Sequence, residues 1–255
     1  MHQPTQKTAL VTGAAKRLGR AIALELAANG WNIVVHYGQS AADAASTVRD
    51  IESLGRRAIA LQCDLADQAA VEQLLPRAIA AMGVVSCVVN NASLFDYDDA
   101  TTFSFAKLDA HMHANLAAPI LLTQALHAAT PTDQQAVAIN VLDQKLFNLN
   151  PDFLSYTLSK SALQTATTML AQALAPTVRV VGVAPGLTMI SGDQTAEGFA
   201  KAHTKTPLGK SSTPYEIAQA VCYLAQARAV TGTILVVDGG QHLISSQRDV
   251  MFATQ

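Results

Sequence analysis

Tyr156-Thr157-Leu158-Ser159-Lys160 sets a phenol and an ammonium four residues apart. On a helix that spacing puts both side chains on one face. A free phenol, with a pKa near ~10, is a poor acid–base catalyst at neutral pH. A neighbouring ammonium favours the phenolate and draws that value down. The pair therefore predicts a proton-transfer centre. A second pattern lies far upstream, in Thr12-Gly13-Ala14-Ala15-Lys16-Arg17-Leu18-Gly19. Gly13 permits a sharp turn, and Gly19 lets a following helix sit close to a sheet. The free N–H groups and the helix dipole then face a pyrophosphate. A dinucleotide site and a proton donor together point to redox chemistry.

These residues need a scaffold, and the hydrophobic pattern supplies one. Short apolar runs at 8–12, 33–36, 57–62, 84–90, 135–140, 178–183 and 233–237 read as strands. Helical patterns fill 17–29, 41–54, 67–82, 104–129, 153–175 and 214–227. Strands alternating with helices imply βαβ crossovers and a parallel sheet. The expectation is one α/β domain, residues 1–255: a Rossmann-like, doubly wound, seven-stranded parallel sheet with helices on both faces. Ligands bind such sheets beyond the C-terminal ends of the strands. The stretch 187–212, rich in Gly, Ser, Thr and Pro, reads as irregular and as a cover over the site.

Composition narrows the partners. Half of the 255 residues are hydrophobic and only 14% are charged, as a buried parallel sheet requires. The net charge of −2 gives no reason to expect nucleic acid. The opening MHQPTQK is polar, and no run approaches ~18 apolar residues, so neither a signal core nor a membrane span is expected. Cys63, Cys87 and Cys222 are widely spaced and odd in number, which fits buried thiols in a reducing, cytoplasmic setting. No His, Cys or carboxylate set has metal-ligand spacing; His111 and His113, two apart, do not share a helix face.

The end of the second strand speaks to cofactor choice. A dinucleotide site for NAD places an acid there. This chain has His36-Tyr37-Gly38-Gln39-Ser40, with no acid. A 2′-phosphate is tolerated, with Tyr37, Ser40 and Arg17 as donors, so NADPH/NADP+ is expected.

The spacing of Gly13 and Gly19, with YxxxK on a later helix, resembles the short-chain dehydrogenase/reductase family, and the resemblance runs from about residue 7 to 243. It implies that Tyr156, Lys160, Asp143 and Asn115 form the catalytic set, with Tyr156 and Lys160 also contacting the cofactor and Lys160 on the nicotinamide ribose. It implies cofactor contacts from Gly13, Arg17, Leu18 and Gly19, from Asp64 and Leu65, from Asn91, Ala92 and Ser93, and from Pro185, Gly186 and Leu187. Asn115 resembles the family's helix Asn that supports a water relay to the lysine. Three positions depart from the common pattern and resemble pteridine reductases and their dihydromonapterin reductase relatives. Arg17 stands where most members have Gly or Ala, and Ser93 where most have Gly. Asp143 stands thirteen residues before Tyr156, where most have Ser. A hydroxyl suits a carbonyl oxygen, whereas a carboxyl suits a ring that donates hydrogen bonds and takes a proton.

The resemblance thus implies a pterin-like substrate bound by Arg17, Ser93, Phe95, Asp143 and Tyr156, with Phe95 stacked on the ring. Gln39, where those enzymes often have Arg, departs from the pattern. By analogy the chain forms a homotetramer, through helices 104–129 and 153–175, and the tail 241–255 is expected near a subunit interface. A carbonyl reductase or alcohol dehydrogenase is the rival on the same scaffold, with a non-catalytic NADP sensor behind it. Serine at 143 would have favoured the first, and loss of Tyr156 or Lys160 the second.

Overall fold

In the computed structural model, residues 7–190, 194–250 and 252 are described. Most of the polar opening stretch (1–6), part of the cover segment (191–193) and part of the tail (251 and 253–255) lie outside the described residues.

The chain alternates strand and helix as its hydrophobic runs require. The strands are β1 (Thr8–Val11), β2 (Asn32–Tyr37), β3 (Ala58–Gln62), β4 (Cys87–Asn90), β5 (Ala136–Val141), β6 (Val178–Pro185) and β7 (Ile234–Val237). The helices are α1 (Arg17–Ala28), α2 (Ala41–Ser53), α3 (Gln68–Met82), α4 (Phe105–Met112), α5 (Ala118–Ala129), α6 (Leu154–Leu174), α7 (Ala196–Thr204) and α8 (Pro214–Gln226). All seven strands are parallel, in the order β3-β2-β1-β4-β5-β6-β7. The order reverses between β1 and β4, and the crevice at that point is where doubly wound sheets take ligands.

Why the strand runs are apolar throughout follows from the two layers they face. Ala9 and Val11 of β1 join a cluster that includes Ile22, Leu26, Ile51, Ile217 and Val221, from α1, α2 and α8. Leu10, one residue between them, joins Val71, Leu74, Leu75, Leu122 and Leu126, from α3 and α5 on the opposite face. Successive side chains point to opposite faces, so neither face can be polar. Helix starts are fixed locally: Asp67 accepts from the N–H groups of Ala69 and Ala70, and Thr213 and Glu216 form a reciprocal box on either side of Pro214.

Three boundaries differ from expectation. The span read as one helix, 104–129, divides into α4, a π-turn at His113–Ala117, and α5. Hydrophobic spacing cannot register one extra residue in a turn, and the fully buried Asn115 sits there. The segment read as irregular, 187–212, contains α7, whose start Thr195 caps at the N–H of Gly198. The Gly- and Pro-rich flanks masked a nine-residue helix. The strand read from 84 begins at Cys87. Among the described residues no helix is long and apolar enough to cross a membrane, and no metal-ligating cluster occurs.

Candidate active site

The β1–α1 turn is built before any ligand is considered. Gly13 has φ +65°, and its N–H donates to Nδ1 of the buried His36 at 3.0 Å. Nε2 of the same ring lies 3.1 Å from the carbonyl of Cys63 and must be the donor there. His36 is thereby fixed as one neutral tautomer. Thr12 Oγ1 accepts from the N–H groups of Asn91 (2.9 Å) and Ala92 (3.0 Å), and Asn91 Nδ2 donates to the carbonyl of Thr12 (2.9 Å). These bonds join the ends of β1 and β4 into one floor. A Cβ on Gly19 would lie 2.2 Å from the carbonyl oxygen of Gly13. Gly19→Ala is therefore expected to destabilise the fold by about 1–3 kcal/mol, read as a lowered thermal midpoint. An unchanged midpoint would mean that α1 is free to move off the turn.

Burial holds the His36 ring well below the ordinary range, at about 4. The unfolded chain, with an imidazole near ~6.5, then binds the extra proton between these values. Stability is complete above about 6.5 and falls as the pH drops towards 4. The loss expected on going from pH 7.5 to 5 is about 2 kcal/mol, measured by urea denaturation. A His36→Asn variant with the same pH dependence would remove His36 as the cause.

Arg17 opens α1 with φ +51°, a conformation costly for a side-chain-bearing residue. Its guanidinium donates to the carbonyl of Ile190 at 2.6 Å, across the mouth of the cavity. No side chain caps the start of α1, and no acid stands in its first turn. That end of the helix presents its positive pole to the cavity.

The proton-transfer end rests on β5 and α6. Asp98, fully buried, accepts from the backbone N–H and the hydroxyl of Ser155 and so anchors the start of α6. Tyr156 is the next residue, and Lys160 follows one turn further on the same face. The hydroxyl of Tyr156 donates to Asp143 Oδ2 at 2.8 Å, and Asp143 Oδ1 accepts from the N–H of Lys145 at 2.8 Å. Lys160 Nζ donates to the carbonyl of Val141 at 2.8 Å and lies 5.8 Å from the centre of the Tyr156 ring. The expected fall in the tyrosine pKa is not what this geometry produces. Burial, and then the charge and hydrogen bond of Asp143, push Tyr156 well above its usual value. The group that yields instead is Lys160, which burial lowers to about 8. Asp143 is itself raised by desolvation, against the hydrogen bonds from Lys145 and Tyr156 that favour its charge.

The cavity these elements enclose is about 480 Å³. It brings together Gly13, Arg17, Leu18, Gly19, Asn91, Ala92, Ser93, Phe95, Asp143, Tyr156, Lys160, Pro185, Gly186 and Leu187 from the sequence reading. Phe95 stacks on Phe153 (centroids 4.2 Å apart) and meets Tyr156 edge-on (4.7 Å). Tyr37, Ser40, Asp64 and Leu65 are not part of this lining; Tyr37 ends β2, and the others follow β2 and β3 at the same C-terminal edge of the sheet. Asn115 is not in the lining either. Its Oδ1 accepts from Leu94 N–H (2.8 Å) and Ser93 Oγ (3.2 Å), while its Nδ2 donates to Leu94 O and Ser159 Oγ (both 3.0 Å). It ties the β4 loop to α6. Residues outside any motif also line the cavity, among them Gln144, Gln241, Asp249 and Val250, as does Lys16 of the glycine turn. Lys145, buried beside them, pairs with Asp249 at 3.2 Å.

A model of the short chain dehydrogenase family matches residues 7–199. The chain belongs to the short-chain dehydrogenase/reductase family. As a short-chain dehydrogenase it is an oxidoreductase, and relatives with different substrates resemble it to similar degrees. The FolM alternative dihydrofolate reductase 1 of Brucella suis, solved in complex with NADP, is 38% identical with a TM-score of 0.90, covering 94% of this chain and 96% of that one. The 3beta-hydroxysteroid dehydrogenase 1 of Eggerthella lenta is 33% identical over 245 residues, 93% of this chain and 94% of that protein. Pteridine reductase 1 of Leishmania tarentolae is 31% identical over 285 residues, 94% and 98% of the two. Overall identity does not choose among these short-chain dehydrogenase substrates; the chemistry of single positions must.

Proposed function

We propose that the protein, acting as one cofactor-binding and catalytic domain, reduces a dihydropterin-type ring with NADPH. The observation that carries this reading is the hydrogen bond from Tyr156 to Asp143. A carboxylate beside the proton donor repels a ketone oxygen, but it accepts from the ring N–H and amino groups of a pterin. Phe95 offers an aromatic face at the same place, and Arg17 and Ser93 offer polar groups for its edge.

The residues present fit the cofactor. Gly13, Arg17, Leu18 and Gly19, at the uncapped start of α1, would hold its phosphates. Tyr37, Ser40 and Arg17 would receive the 2′-phosphate, with no acid at the end of β2 to oppose it. Asp64 and Leu65 would meet the adenine, Asn91, Ala92 and Ser93 the ribose side, and Pro185, Gly186 and Leu187 the nicotinamide. The NADP held by the similar Brucella structures supports the same choice. When bound, NADPH supplies the hydride.

The chain's own part is the proton. Tyr156 is kept protonated by its surroundings, which is the state a reductase needs before it acts. As the ring nitrogen takes that proton, the developing phenolate is offset by the ammonium of Lys160. Lys160, with its value near 8, then returns a proton to Tyr156 and takes one back from solvent before the next turnover. Asn115 supports this by fixing the β4 loop against α6. The reading extends to a cytoplasmic homotetramer, for which the three unpaired cysteines and the exposed Phe105 of α4 and Met169 of α6 are the support.

NADPH consumption by the purified protein, with a dihydropterin and a panel of ketones side by side, tests it. Turnover of the dihydropterin alone is expected. Turnover of ketones alone would make the protein a carbonyl reductase and leave Asp143 without the assigned role.

A further inference from the structure

The carboxyl-terminal segment reaches the cavity in a way no motif announces. Asp152, just ahead of α6 and nearly fully buried, accepts from Arg248 Nε (2.9 and 3.1 Å) and from the backbone N–H of Asp249 (2.7 Å). The side chain of Asp249 turns inward to Lys145 Nζ at 3.2 Å and is only 14% exposed. Lys145 also donates to the carbonyl of Asp152 and lies 5.4 Å from the centre of the Phe153 ring. Phe252 packs near-parallel to Phe153, and the guanidinium of Arg248 sits 4.9 Å from the centre of the Phe252 ring. The segment is thus clamped on the short helical turn Gln144–Phe147, which Asp143 caps, and Asp249 and Val250 line the cavity with Asp143.

Charge divides the cavity into two ends. Lys16, Arg17 and Lys160 stand on the side of the β1–α1 turn and α6. The opposite wall carries two carboxylates, Asp143 and Asp249, with the Lys145 ammonium behind Asp249 and the Asp152–Arg248 pair outside the lining. That wall holds more carboxylates than cations and is rich in hydrogen-bond acceptors.

We propose that Asp249 and Val250 form the pocket wall that meets the substrate's side chain, and that Asp249 is a specificity-determining residue. It accepts hydrogen bonds from neutral, hydroxyl-bearing side chains and disfavours anionic ones. A carboxylate held by a buried ammonium is fixed in direction, so a hydroxyl reaching it completes a charge-assisted bond. A second carboxylate brought to the same wall meets like charge away from bulk water. The proposal rests on the reading above only for the ring that occupies the pocket; the wall and its charge stand apart from it.

The test compares kcat/KM of the full-length protein for a dihydropterin with a short hydroxylated side chain and for dihydrofolate, whose side chain is anionic. The parent is expected to favour the hydroxylated substrate by about 10-fold. Asp249→Asn is expected to narrow that ratio by about 3- to 10-fold through KM, with kcat within about twofold. Raising the ionic strength on the parent is expected to narrow it too, because screening weakens like-charge repulsion and leaves packing unaffected. An unchanged ratio in a folded Asp249→Asn variant overturns the proposal. If that variant fails to fold, a parent ratio insensitive to salt overturns it equally. If the parent reduces ketones and no pterin, the earlier reading fails. The same ratio, taken with a neutral hydroxyketone and a keto acid of similar size, then decides the role of Asp249.

Discussion

Tyr156→Phe is expected to lower kcat by about 10²- to 10⁴-fold while leaving the thermal midpoint close to the parent's. The phenylalanine ring keeps the edge-on contact with Phe95, so packing is preserved. What disappears is the one O–H that donates to Asp143. Its loss removes the proton source and leaves the Asp143 carboxylate with the Lys145 N–H as its remaining donor. Stopped-flow and steady-state NADPH oxidation measure the effect. A variant retaining more than a tenth of the parent's rate would show that the proton comes from another group or from water.

Asp143→Ser carries the second large effect, and here sign and selectivity matter more than size. Dihydropterin reduction is expected to fall by about 10²-fold, as expected when a site built to pair buried donors loses its acceptor. Ketone reduction, if measurable at all, is expected to rise or stay level, because a hydroxyl in place of the carboxylate removes the repulsion of a carbonyl oxygen. The same variant lowers the tyrosine pKa, since the charge and hydrogen bond of Asp143 both hold Tyr156 high. Spectrophotometric titration of tyrosinate therefore gives a readout independent of turnover. A variant that reduces pterins as well as the parent does would end the pterin assignment of Asp143.

The sequence carried much of this site because its chemistry is local. Gly13 and Gly19 bracket a turn whose geometry tolerates little else, and the four-residue step from Tyr156 to Lys160 fixes a common helix face. Alternating strands and helices gave the sheet and, with it, the edge where these residues meet. What the sequence could not give is what depends on distance through space. Spacing placed an ammonium near the phenol, but not the desolvation around both, nor the fact that Lys160 spends a hydrogen bond on Val141 while Asp143 takes the one from Tyr156. That is why the direction of the tyrosine shift came out opposite to expectation. Lys145, Asp249 and Val250 belong to no motif; they converge only because Asp152 fixes the segment near Arg248, 96 residues further along. The π-turn at Asn115 was hidden for a simpler reason: one additional residue in a turn leaves the flanking periodicities intact.

The same convergence has a consequence for how the protein is made. β1, synthesised first among the strands, ends in the middle of the sheet and waits for β4 before its second edge is covered. The cavity that begins at Gly13 is not walled until Asp249 and Val250 have left the ribosome, 236 residues after Gly13 by their numbering (249 − 13). An emerging chain therefore exposes Leu10, Val34 and their apolar neighbours until α3 and α5 have been made, an interval in which nascent α/β chains depend on chaperones. A chain interrupted before residue 249 would carry the glycine turn, the tyrosine and the lysine, and still lack the enclosure in which they operate.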